Sequence, residues 1–214
     1  MKRSLGLTLV LGLILMSVVA ASAQDAASRS RISDALSKGD VAAAEKEMEA
    51  LKAKLPAASP APAPKSGSVF YEEIKACGFY PQESRLECVI DIKQKGGYGG
   101  PVGAFGSFEF VQFCVDWNGD SVFSASDVVG MGIVQMHDEA SAASPPWQYA
   151  VYQDINPPGG LRTSNSGAST TTTTGGPTRK ARAILSWFSA PTSCNYSPIW
   201  GNIVDFVIRL DPIR

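Results

Sequence analysis

The stretch SFEFVQFCVDWNGDSVFSASDVVGMGIVQMH, residues 107–137, decides the fold. Two runs rich in aromatic and β-branched residues flank a polar, acidic bend, and neither run shows helical periodicity. Strand, loop, strand is the expected order. The same pattern extends outward on both sides. Residues 68–77, 85–95, 147–155, 180–189 and 202–210 each form an apolar or alternating run bounded by Gly, Pro, Asn or Ser. Seven such runs within about 145 residues predict an antiparallel β-sandwich, and no alternation with helices suggests a parallel α/β sheet.

The acidic bend, DWNGDSVFSASD, sets Asp116, Asn118, Asp120, Ser124 and Asp127 at loop positions 1, 3, 5, 9 and 12, with the Val122 carbonyl at position 7. Calcium takes six to eight oxygens, and alternate residues of a tight loop can supply them. Phe123, at position 8, would pin such a loop to a core. The pattern is similar to dockerin-type loops, which use Asp at the last position. Two features depart from it. The sharp-turn glycine of position 6 is Ser121, with Gly119 two residues earlier, and the exit VVGMGIVQM disfavours a following helix. Trp117-Asn118-Gly119-Asp120 also reads as a hairpin turn that needs Asn, Gly and Asp for backbone reasons alone. Calcium cradle and polar hairpin both stay open.

The chain starts with Lys2 and Arg3, an apolar run and Ala21-Ser22-Ala23, the layout of a secretory signal over 1–23. The apolar run is short for a membrane span, and nothing later is long enough for one. Residues 24–55 are rich in Ala, Glu and Lys. Val41, Ala44, Met48, Leu51 and Leu55 recur at helical spacing, and Lys38-Gly39-Asp40 reads as a break in which Asp40 caps a second helix. The resulting hairpin resembles half of a tetratricopeptide-type unit, expected to act as a spacer or a weak self-association element. Residues 56–67, PAASPAPAPKSG, read as a semi-rigid linker. The β-sandwich domain takes 68–214.

Lys and Arg number 19 against 20 Asp and Glu; removing Lys2 and Arg3 leaves 17 against 20, a net of −3. A slightly acidic chain without a basic stripe argues against nucleic acid and anionic lipid as partners. Four cysteines, Cys77, Cys88, Cys114 and Cys194, lie beyond the signal and suggest disulfides in an oxidising compartment, secreted or periplasmic. The intervening GFYPQESRLE can fold as a hairpin, which favours Cys77–Cys88 and leaves Cys114–Cys194 as a long-range staple.

The segments YEEIKACGF (71–79), DW (116–117), VQMHD (134–138), RAILSW (182–187) and PIWGN (198–202) occur in this order. Together they resemble an uncharacterised secreted β-sandwich domain of bacterial envelope proteins. The resemblance implies an extracytoplasmic β-rich module and carries no assigned activity.

Catalytic patterns are sparse. His137 is the single histidine, and no Gly-x-Ser-x-Gly elbow accompanies it. The glycine-rich KGGYGGPVGAFG (95–106) precedes no helix and so makes a poor phosphate loop. Glu72, Glu73, Glu87 and Asp91 are candidate carboxylates for a secreted hydrolase. Trp117, Trp147, Trp187 and Trp200 could stack on sugar rings, but Trp187 and Trp200 read as core, which leaves Trp147, after Pro145-Pro146, as the candidate ligand platform. The expected function is a non-catalytic structural or recognition module of the envelope, with calcium as a loop-ordering ion and an envelope protein or glycan as partner. Carbohydrate binding and hydrolysis are the alternatives.

Overall fold

In the computed structural model, residues 26–54, 66–158 and 178–210 are described. The signal segment 1–23, most of the linker 56–67 and nearly all of the threonine-rich stretch 163–178 lie outside the described residues. A helix over 26–37, α1, is followed by α2 (Val41–Lys52). Asp40 caps α2 by accepting the Ala43 N–H at 3.0 Å, which satisfies one of the helix's free first-turn donors. Among the described residues seven strands follow: β1 (Glu72–Tyr80), β2 (Arg85–Ile92), β3 (Ser107–Val115), β4 (Val128–Met136), β5 (Trp147–Asp154), β6 (Thr178–Trp187) and β7 (Ile203–Arg209). All pairings between these strands are antiparallel. They form two sheets, ordered β1-β2-β5 and β4-β3-β6-β7. The fold is mainly β, as the strand patterns predict.

The core fills the space between the sheets. Leu86, Ile90 and Ile92 of β2 face Val111, Phe113 and Val115 of β3 and Ala181, Ala183 and Leu185 of β6, all buried. A strand alternates its faces, so β3 turns Ser107, Glu109, Val111, Phe113 and Val115 inward and Phe108, Phe110, Gln112 and Cys114 outward. Both disulfides form as expected. Cys77 and Cys88 are direct cross-strand partners in the β1–β2 hairpin, with Cα atoms 4.1 Å apart. Cys114 and Cys194 close a span of 80 residues at 6.0 Å. Loop closure in the unfolded chain gives the longer one about 4.5 kcal/mol of stabilisation and the shorter about 3.

The helical hairpin is not a free stalk. Ile32, Leu36, Ala44, Met48 and Leu51 pack against Trp187 and Trp200 of the sandwich, so the apolar stripe is covered by its own chain. Two glycines of the 95–106 loop, Gly99 and Gly100, meet α1. Gly99 sits at φ +82, and a Cβ there would lie 2.9 Å from the Leu36 Cβ; its N–H donates to Ser33 Oγ at 3.0 Å. Only glycine allows both the left-handed backbone and the close approach of α1. Among the described residues no helix is long and apolar enough to cross a membrane.

Candidate functional site

Among the described residues, three places bring chemically capable side chains together: the 116–127 loop, a cleft beside Trp147, and a buried cluster beneath α1.

The loop is closed by its own backbone. Asp116, 1 % exposed, accepts the Gly119 and Ser121 N–H groups at 2.8 Å each. Asp120 accepts from Val122 N–H at 2.7 Å and from Asn118 Nδ2 at 2.8 Å. Asp127 accepts both the backbone N–H and the hydroxyl of Ser124 at 2.7 Å. Ser121 occupies a left-handed conformation, φ 69, where the motif expects glycine. Phe123 is buried against the Cys114–Cys194 disulfide, and its ring faces the Arg182 guanidinium at 4.4 Å. The loop is thus pinned where the sequence places its apolar anchor. Asn118, Asp120, Val122 and Ser124 are at the surface, whereas Asp116 and Asp127 are buried. Among the described residues no three His, Cys, Asp or Glu side chains meet in a group that could hold a metal ion. Asp116, Asp120 and Asp127 each accept hydrogen bonds from within the loop.

The cleft, about 600 Å³, lies where β2 and β4 end and β5 begins. Trp147 is half-buried against the core, Tyr149 is 42 % exposed, and Gln135, Gln148, Asp138 and Glu139 add polar groups. Each polar group is held. Gln148 Nε2 donates to Asp91 at 3.0 Å, and Gln135 Nε2 to the Phe105 carbonyl at 2.8 Å. Asp138 accepts the Tyr98 N–H at 2.8 Å, and Glu139 the Ser141 N–H at 2.6 Å. That last bond holds the Glu139 carboxyl below the usual carboxylate range. His137 lies 3.3 Å from the Ala104 carbonyl through Nε2, a strand-end contact.

The buried cluster was not legible as a motif. Arg29 of α1 makes a bidentate pair with Glu72, both N–O distances 2.7 Å, and both side chains are fully buried. Its guanidinium lies between the rings of Tyr71 at 3.9 Å and Trp187 at 4.0 Å. Such stacking suits a planar, weakly hydrated cation. Glu109 of β3 is fully buried, and neither carboxyl oxygen has a hydrogen-bond partner. Burial pushes its carboxyl well above the usual range, and the nearby Glu72 charge pushes it further against the pull of Arg29. Burial also raises Glu72, opposed by Arg29. Tyr98, which donates its hydroxyl to the Tyr71 carbonyl at 2.9 Å, is raised by burial and by Glu72.

The hydrolase candidates do not meet in a cleft. Glu72 is sealed with Arg29, while Glu73 faces outward to Lys93 at 3.1 Å and Lys75 at 3.7 Å. Both are ion-paired. Asp91 stands opposite Glu73 on β1 and takes the Gln148 amide. Glu87 lies on the outer face of β2 beside Ala76, Gly78 and Val89. One signal pointed to the cluster. Arg29 shares a helical stripe with Ile32 and Leu36, a charge at an apolar position.

Comparison with family models, curated proteins and solved structures finds no match.

Proposed function

We propose that the chain is an exported, non-catalytic recognition module of the bacterial envelope, and that its ligand is a glycan bound in the Trp147 cleft. The lining of that cleft carries the proposal. An aromatic ring flanked by amides and carboxylates, each already oriented by a hydrogen bond, suits a polar ring-bearing ligand better than an apolar one. Two disulfides support export, because such bonds persist in oxidising compartments.

The chemistry of the carboxyls supports a binding role. Glycoside hydrolysis uses one carboxyl held protonated beside a second that is ionised. The carboxyls pushed up among the described residues are Glu72 and Glu109, both sealed from solvent, while Glu139 in the cleft is pushed down. Calcium enters the proposal only as a weak ligand of the 116–127 loop, on its donor spacing.

A glycan array with the folded chain, followed by Trp147→Ala on the strongest hit, tests the reading. Binding should weaken about tenfold, corresponding to the ~1.4 kcal/mol of a stacked ring. Equal binding by the variant, or no glycan bound by the wild type, contradicts it.

A further inference from the structure

Beneath α1 three ionisable side chains share one dry site: a cation, Arg29, and two carboxylic acids, Glu72 and Glu109. With both acids ionised the site would hold a net negative charge out of contact with water, an expensive arrangement. Geometry says which acid is neutral. Glu72 receives two 2.7 Å bonds from the guanidinium, which require a carboxylate. Glu109 receives none.

We propose that Arg29, Glu72 and Glu109 form a proton-linked latch: the helical hairpin docks on the sandwich with a proton on Glu109 and loosens when that proton leaves. The hairpin is the element free to respond. Its hold includes the Arg29–Glu72 pair within the aromatic cage, the Ser33–Gly99 bond and the apolar stripe on Trp187 and Trp200. Glu109, by contrast, is fixed in a central strand paired on both sides.

The charged and titratable groups around Glu109 are few. Arg29 of α1 and Glu72 of β1 act on it directly, Tyr98 of the β2–β3 connection feels it, and Lys93 acts through Glu72. Its strand neighbours, Val134 on β4 and Trp187 on β6, do not titrate. Undocking admits water to Glu109 and returns its carboxyl towards the ordinary range. The docked state therefore binds the proton more tightly. Docking is fully stabilised below the ordinary carboxylate pKa and weakens as pH rises towards the higher value that burial confers.

Hydrogen exchange on the full chain between pH 5 and 8, corrected for intrinsic rates, tests the latch. Amides of α1 and α2 should lose protection by about tenfold per pH unit, one proton's worth, while β3 and β6 amides keep theirs. Glu109→Gln, which mimics the protonated acid, should abolish the slope; Glu109→Leu replaces it if the amide variant misfolds. Fluorescence of Trp187 and Trp200 against pH reads the same opening in the wild type. Hairpin protection independent of pH, an unchanged slope in the variants, or sheet amides opening in step with the helices would overturn the proposal.

Discussion

Two buried carboxylates bracket β3, and the chain treats them in opposite ways. Asp116, just past its end, is 1 % exposed and accepts two backbone N–H groups, so its lone pairs are occupied by the loop it organises. Glu109, near its start, is equally buried and accepts nothing. The first sits in a bend crowded with Asp, Asn and Gly and invites a metal-site reading. The second stands in an ordinary-looking strand. The difference teaches that acidic residues clustered in sequence can settle their charge locally on backbone amides, whereas a single acid on a core-facing row has only burial and a proton.

The comparison breaks most visibly at Arg29. Arg29→Ala leaves Glu72 buried without its cation beside an already unpaired Glu109, and should cost about 3–5 kcal/mol in urea unfolding at neutral pH. A loss under 1 kcal/mol would mean that the hairpin adds little to the fold. Asp116→Ala should be the next largest effect. It strips the acceptor from the Gly119 and Ser121 amides, and a loss of about 2 kcal/mol is expected from thermal melting, within the range for a removed buried acceptor. Calcium should act least. A site of about 1 mM affinity would add about 1.4 kcal/mol at 10 mM calcium by mass action. With the loop's carboxylates already closed on its own amides, the gain should stay below that figure in calorimetric melting. A larger shift would show that the ion reorganises the loop.

Much of the fold was legible. The seven strand patterns, the Asp40 cap and the Cys77–Cys88 pairing follow from local chemistry: turn residues, alternation, and a hairpin that brings Cys77 opposite Cys88; Cys114–Cys194 follows as the pair left over. Phe123 as the loop's anchor was legible for the same reason. The docking of the hairpin was not, because its partner surface is assembled from residues far apart in the chain, Tyr71, Gly99, Trp187 and Trp200. Nor was the face β3 turns inward. Phe108 and Phe110 advertise the opposite row as the buried one, yet register places Glu109 with Val111 and Phe113 in the interior. Trp147 was legible as a candidate ligand platform, though it lies half-buried against the core; the polar groups that frame it converge only through the β2–β5 pairing and the turn after β4.

The proton on Glu109 is measured most directly by carbon-13 NMR of the side-chain carboxyl in the wild-type chain, titrated from pH 3 to 8. The account predicts a carboxyl that keeps its protonated chemical shift through the range where ordinary glutamates ionise, with its change, when it comes, matched by loss of hairpin contacts. A midpoint near 4.3, the ordinary glutamate value, with α1 still docked above it, would contradict the account.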